Sequence, residues 1–223
     1  MKKLLISGAA GRMGRKLAEL ANDYGFLPAC GVDRGAGQGE AFPVFAAFSQ
    51  VDSPVDVVID FSAPETLPGL LAYAAHNRVP CVLGTTGYAE SDLEAIRAAA
   101  RHIPIFYSRN MSRGIFVLRQ LAAQAARLLP GFDIEIVETH HRQKTDSPSG
   151  TAQALLEAVK SPDTQVRYGR EGKQTRRRDQ EIGVHALRGG TVAGDHQLGF
   201  YGDHEVITLS HHAQDRGVFA AGA

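Results

Sequence analysis

The stretch KKLLISGAAGRMG, residues 2–14, decides how the chain is read. A short apolar run, Leu4-Leu5-Ile6, breaks into a turn with glycine at Gly8, Gly11 and Gly14. Arg12 then opens a helical pattern, RMGRKLAELANDYG, that stops at Gly25. The apolar run is only about five residues long, too short for the core of a secretion signal, so it reads as a first β-strand. Glycines between a strand and a helix let the backbone turn tightly and come close to a ligand. The helix that follows offers open N–H groups and a partial positive charge, which suit a pyrophosphate. The G-x-x-G-x-x-G spacing is a variant of the usual G-x-G-x-x-G fingerprint, and a plain strand-to-helix turn would also satisfy it.

The flanking pattern supports the dinucleotide reading. FLPACGVD (26–33) is a second strand, and it ends on Asp33, the acid expected about 20 residues beyond the turn. A carboxylate there can accept hydrogen bonds from the ribose hydroxyls and repels a 2′-phosphate, which favours NADH. Arg34 beside it can pair with that phosphate, so use of NADPH as well is expected. VDVVIDFS (55–62), PCVLGTT (80–86) and IPIFYSRN (103–110) continue the series, with helical patterns at 64–77 and 89–102 between them. Their apolar runs are continuous rather than alternating, as in parallel strands covered on both faces. Strand and helix in alternation predict a Rossmann-like, doubly wound α/β domain over residues 1–110. The GTTG segment, Gly84–Gly87, falls at a strand's carboxyl end, where such sheets bind ligands.

After a helical stretch at 112–129 the rhythm changes. FDIEIVETHH (132–141) reads as a strand, and a helix starts near Ser149. EIGVHALRGG (181–190), HQLGFYG (196–202) and HEVITLSHH (204–212) are further strands with glycine-rich turns. This predicts an α+β domain over 111–211 with an open, largely antiparallel or mixed sheet, and leaves 212–223 to complete the first domain. The 24 Lys and Arg balance 24 Asp and Glu, so charge argues for neither a nucleic-acid nor a membrane partner. No apolar run approaches the roughly 20 residues needed to cross a bilayer. Cys30 and Cys81 sit in separate apolar runs and are expected as buried free thiols in a reducing cytoplasm.

The densest chemistry lies in ETHHRQKTDSPSGTA, residues 138–152. His140 and His141 are strand neighbours and point to opposite faces, which disfavours a shared metal ion, and no metal site is expected. A serine nucleophile lacks a G-x-S-x-G elbow and an orienting acid. The remaining functional reading is an anion clamp: Ser149 as N-cap, the amides of Gly150 and Thr151 with the threonine hydroxyl, and Lys144 and His141 nearby. A capped helix beside a solvated lysine would carry the same pattern. His140 adds a proton source that titrates near neutral pH. A dinucleotide domain, an anion clamp and an acid together suggest a reductase of a small anionic substrate.

This segment resembles the signature E-x-H-H-x-x-K-x-D-x-P-S-G-T-A of the dihydrodipicolinate reductase family. Glu138, His140, His141, Lys144, Asp146, Pro148, Ser149, Gly150, Thr151 and Ala152 all match it. GAAGRMG, DFSAPE, LGTTGY, EIGVHALRGGTVAGDH and FAAGA extend the resemblance over nearly the whole chain. It implies reduction of (2S,4S)-4-hydroxy-2,3,4,5-tetrahydrodipicolinate to tetrahydrodipicolinate, with loss of water, in the diaminopimelate route to lysine. It implies His140 as acid, Lys144 as its helper, and His141, Ser149, Gly150 and Thr151 as the substrate-carboxylate site. It places NADH or NADPH along Gly8, Ala9, Ala10, Gly11, Arg12 and Met13, then Asp33, Arg34, Gly84, Thr85 and Thr86, and the linker Ser108, Arg109, Asn110 and Met111. A cytoplasmic homotetramer built through the second sheet is also implied, and in the family the chain normally continues beyond the position of Ala223 with a helix that packs back on the nucleotide domain. The linker SRNMSRG departs from the family pattern at Met111 and the flanking arginines. Thr175 stands where glycine is common, and the arginines of REGKQTRRR are expected in a solvated loop. A different two-domain NAD(P)-dependent enzyme of amino-acid metabolism would share the first domain, and so would a non-catalytic dinucleotide sensor. Neither has need of the His-His-x-x-Lys segment.

Overall fold

The computed structural model describes residues 1–35, 41–173 and 175–223, which form two compact units: residues 1–111 with 216–223, and residues 112–215. Gln174, in the arginine-rich segment, lies outside the described residues.

The first unit is a six-stranded sheet with strands β1 (Lys2–Ser7), β2 (Phe26–Val32), β3 (Val44–Phe45), β4 (Val57–Asp60), β5 (Cys81–Leu83) and β6 (Ile105–Tyr107). Their order is β3-β2-β1-β4-β5-β6, and every pair is parallel. This is the doubly wound order, whose reversal point lies between β1 and β4. The continuous apolar run of β1 follows from its central place. Leu4 and Ile6 pack on one face with Leu17 and Ala21 of the first helical segment, and Leu5 packs on the other with Leu67, Leu70 and Ala74. Helices α1 (Arg12–Leu20), α2 (Leu67–Asn77) and α3 (Glu90–Ala99) are the crossovers. β3 is two residues long and has no counterpart in the expected strands. Cys30 and Cys81 are buried, and burial pushes their thiols up to about 11 and about 12.

The second unit holds helices α4 (Arg113–Leu128) and α5 (Gly150–Val159). Its sheet comprises β7 (Asp133–His140), β8 (Gln165–Tyr168), β9 (Glu181–Arg188), β10 (Asp195–Tyr201) and β11 (Val206–His212). The order is β11-β10-β7-β9-β8. β10 runs antiparallel to β7 and β11, whereas β7, β8 and β9 are mutually parallel, so the sheet is mixed. One face packs Ile136, Ile182, Val184, Leu198 and Phe200 against Ile115, Leu118 and Leu155 of the two helices. Period-two alternation along β7 then places Glu138 and His140 on that same buried face. Edge strand β8 is not among the expected strands.

Two expectations need correction. The segment 212–223 does not pass as a whole to the first unit: His212 ends β11, and only residues 216–223 join the first unit, where α6 (Gly217–Gly222) lies beside α1. The arginines of the 170–178 segment are not simply solvated. Arg170 bonds Glu135 and Glu181, and Arg177 pairs with Asp133 and Glu135, all on the sheet face away from the helices. Gly183 makes room for this cluster, since a Cβ there would stand 1.8 Å from the Glu135 carboxylate.

The turn after β1 is a backbone-on-backbone contact. A Cβ on Gly14 would stand 2.1 Å from the Gly8 carbonyl oxygen, and one on Gly8, at φ +79, would stand 2.6 Å from that of Phe61. Gly14→Ala should therefore force main-chain movement and cost about 1–3 kcal/mol. Thermal unfolding should show a midpoint several degrees lower, and an unchanged midpoint would mean that the turn yields freely.

Candidate active site

In the first unit the carboxyl ends of β1, β2 and β4 surround a crevice of about 210 Å³, lined by Gly8, Gly11, Val32, Asp33, Arg34, Phe61, Ser62, Ala63 and Thr66. α1 begins here with Gly11 as N-cap, without a side-chain cap bond and without an acid in its first turn. Its helix end is left able to face an anion. Asp33 is half-buried, and its carboxylate accepts from the amides of Ala10 (3.1 Å) and Gly35 (2.9 Å). The acid thus also pins the glycine turn to the end of β2. The bare glycine backbone, the uncapped helix end and the acid beside them fit a dinucleotide pyrophosphate and ribose.

Of the residues expected at a cofactor, Gly8, Gly11, Asp33 and Arg34 line this crevice. Ala9 is fully buried and packs in the core. Arg12 and Met13 form the start of α1. Gly84 is fitted against the Phe61 ring, which a Cβ would approach to 2.4 Å. Thr85 is buried, with its hydroxyl accepting from the Ser62 amide at 2.8 Å, while Thr86 is exposed. In the linker the Ser108 hydroxyl donates to the Asn110 carbonyl at 2.7 Å, and Arg109 is exposed. Met111 is buried beneath α6, where a Cβ on Gly222 would lie 1.8 Å from its carbonyl oxygen. Sequence reasoning noted DFSAPE but gave Phe61, Ser62 and Ala63 no place in the site. The available signal was positional, because this loop leaves β4, the strand next to β1 at the reversal point. Asp60 stands buried under it and accepts from the hydroxyls of Ser62 (2.5 Å) and Tyr88 (3.2 Å).

In the second unit a polar cluster occupies the end of the buried sheet face. Glu138 is fully buried. It accepts from both terminal nitrogens of Arg188 (2.8 and 2.9 Å), from the Ser149 amide (3.0 Å) and from His140 Nδ1. Pairing explains the convergence: His196 of β10 lies opposite Glu138, and Arg188 of β9 lies opposite His140. The His140 and His196 rings meet edge to face with centroids 5.2 Å apart. Ser149 caps α5 by accepting from the Ala152 amide at 3.1 Å, and its hydroxyl also contacts His196 Nε2 at 3.0 Å. Ser149, expected to meet substrate, also ties α5 to Glu138 and His196. Gly150 opens α5, and a Cβ there would meet nothing within 4 Å; Thr151 follows it. His141 lies just past β7 with a buried Nδ1 that has no hydrogen-bond partner. Lys144 bonds both oxygens of Asp146, at 2.7 and 2.9 Å.

The charges explain the titration behaviour. Burial works to raise Glu138, but the bonds from Arg188, His140 and the Ser149 amide prevail and hold it below its ordinary range. Burial is the largest influence on His140 and leaves it below its ordinary value, with Glu138 opposing and Lys144 and Arg188 reinforcing the drop. Burial, followed by the nearby His140, pushes His196 down to about 4. For Asp146 burial is outweighed by the Lys144 bond and charge, and the carboxyl is lowered. Among the described residues no group of three or more His, Cys, Asp or Glu could hold a metal ion. Among them also, no helix is long and apolar enough to cross a membrane.

Residues 2–111 match the family model described as dihydrodipicolinate reductase, N-terminus, and residues 114–223 match the one described as dihydrodipicolinate reductase, C-terminus. The 4-hydroxy-tetrahydrodipicolinate reductase of Caldanaerobacter subterraneus subsp. tengcongensis is 46% identical over 227 residues, covering 100% of this chain and 90% of the relative. That of Haloarcula marismortui is 40% identical over 228 residues, covering 100% and 91%. Among solved structures, a dipicolinate-bound dihydrodipicolinate reductase from Paenisporosarcina sp. TG-14 superposes with a TM-score of 0.79 at 25% identity, covering 100% of this chain and 91% of that one.

His196 binds its proton far more weakly when folded, near pH 4, than in an unfolded chain, near pH ~6.5. The unfolded state therefore takes up more protons between these values, and stability is lost as pH falls through that window. Calorimetry should show the midpoint dropping from pH 7 to pH 5. His196→Gln should flatten part of this slope, and an unaltered slope would assign it to other groups.

Proposed function

The chain belongs to the dihydrodipicolinate reductase family, and from that membership we propose how its residues divide the work of reducing 4-hydroxy-tetrahydrodipicolinate. The enzyme is an NAD(P)H-dependent oxidoreductase of the diaminopimelate route to lysine. A reduced nicotinamide dinucleotide, held through its pyrophosphate at Gly8, Gly11 and the start of α1, supplies hydride when bound. Asp33 takes the ribose hydroxyls and inclines the enzyme to NADH, while the exposed Arg34 admits the extra phosphate of NADPH.

In the second unit the amides of Gly150 and Thr151, with the threonine hydroxyl, take one carboxylate of the substrate. Lys144 and the unpartnered His141 Nδ1 take the other, and Lys144 exchanges part of its bond to Asp146 for the ligand. His140 is the proton donor. Nδ1 is engaged by Glu138, so the transferable proton sits on Nε2. Burial leaves the ring mostly neutral in the free protein, and two carboxylates arriving beside it favour the imidazolium. The acid is thereby charged when there is a substrate to protonate. The observation that carries this reading is a buried, oriented histidine at the end of β7, bonded through Glu138 to the start of α5, with a lysine in the loop between them.

The second sheet also supports a homotetramer. Its face away from α4 and α5 exposes Leu187, Tyr201 and Val206, at 49%, 41% and 55%. Exposed apolar side chains on such a face, with Tyr201 and Val206 as direct cross-strand neighbours, are suited to burial between copies.

His140→Gln should lower kcat by ~10²–10³ at neutral pH while leaving the NADH dissociation constant within about two-fold. Stopped-flow and fluorescence titration measure the two, and an unchanged kcat would exclude the donor role. Asp33→Ala should raise KM for NADH more than for NADPH. An unshifted ratio of the two would remove Asp33 as the selector.

A further inference from the structure

We propose that Glu138 is the positioning residue of the proton donor: it holds His140 by Nδ1 so that Nε2 faces the opening kept by Gly194, and Arg188 locks it in place. The inference rests on the reading of His140 as donor and deepens it.

A carboxylate withdrawn completely from water costs several kcal/mol unless it is fully compensated. Glu138 meets that condition with four donors. Oε1 takes Arg188 and the Ser149 amide, and Oε2 takes Arg188 and His140 Nδ1. Arg188 is fixed in turn by the carbonyls of Asp146 (2.8 Å) and Leu187 (2.7 Å). The bidentate fork leaves the carboxylate one orientation. An ionised carboxylate can only accept, so the nitrogen facing it must carry hydrogen. The neutral ring is then the Nδ1–H tautomer, and Nε2 is the atom that gains and loses the proton.

The space beyond Nε2 belongs to the same device. A Cβ on Gly194 would lie 3.0 Å from Nε2 and 3.7 Å from the His196 ring, so the absence of a side chain keeps that nitrogen open. The charges facing His140 come from every side. Glu138 is on its own strand, Arg188 is across on β9, neutral His196 is on β10, and Lys144 and Asp146 lie in the loop that follows. They form two pairs, Glu138 with Arg188 and Asp146 with Lys144, and each pair nearly cancels. The next charge to arrive is therefore the one that sets the state of the ring, and the substrate brings two negative ones.

A purely structural ion pair predicts something different, and two variants of the full chain separate the readings. With ¹⁵N-histidine labelling, His140 is assigned by its disappearance in His140→Gln. In the wild type its neutral form should carry hydrogen on Nδ1, and in Glu138→Gln the tautomer should mix or reverse. Removing the carboxylate should lower the His140 titration midpoint, and with it the alkaline limb of kcat, by about one pH unit. Arg188→Gln should move both upward by a similar amount, since it removes a cation and spares the carboxylate. KM for the nicotinamide cofactor should stay within about two-fold in both variants. Wild-type hydrogen on Nε2, or limbs that stay put or move the same way in both variants, would overturn the proposal. If Glu138→Gln does not fold, the wild-type tautomer and the upward movement in Arg188→Gln still decide it. An unchanged kcat in His140→Gln would instead sink the donor reading and leave the tautomer result standing.

Discussion

A carboxylate with no exposure to water sits at the polar end of the second unit's core, and the surrounding architecture is organised by the need to compensate it. Glu138 draws a side chain from β9, the amide at the start of α5 and the ring two residues along its own strand into one bonded group. Each partner has a second task. Ser149 caps α5, Arg188 ties down the loop at Asp146, and His140 pairs across to β9. A charge here is expensive, and an apolar residue of similar volume would often be neutral or better for stability. What the charge provides is a fixed ring angle and a defined hydrogen position, which apolar packing cannot supply.

The crevice proposed for the dinucleotide is built by different means. Apart from Asp33 and Arg34 its lining is uncharged, and the backbone around it is shaped by what glycine omits: Gly8 against the Phe61 carbonyl, Gly14 against Gly8, Gly84 against the Phe61 ring. Attraction comes from an uncapped helix end and from backbone that can be approached closely. Asp33 belongs to both tasks, since one of its oxygens holds the turn through the Ala10 amide. A substitution there loosens the glycine turn as well as changing the proposed ribose site.

Much of this could be read before any coordinates, and the exceptions have physical causes. The doubly wound unit was readable because β1, β4 and β5 each carry a continuous apolar run and the glycine turn separates strand from helix. Ser149 as a cap was readable from Pro148 and the run that follows. β3 and β8 were not, since two residues in one case and a half-polar edge strand in the other carry no periodic signal. The roles of Arg170 and Arg177 were hidden because Glu135, the acid they share, lies 35 and 42 residues away in sequence. Glu138 matched a motif without revealing its function. A charge on the core-facing register of a strand makes sense only once Arg188, 50 positions later, is known to lie across the sheet.

The order of the chain through the two units bears on how the molecule is made. The second unit is one continuous segment, whereas residues 216–223 return to the first, where Ala220 joins Leu4, Ile6 and Leu17. On the ribosome, β1 and α1 emerge early, but Ala220 reaches that side of their core only after the whole of the second unit has been made. During that interval an apolar surface around Leu17, Ala21 and Phe26 is left to the solvent or to a chaperone. The later-synthesised unit has every one of its strands before residues 216–223 return to the earlier one.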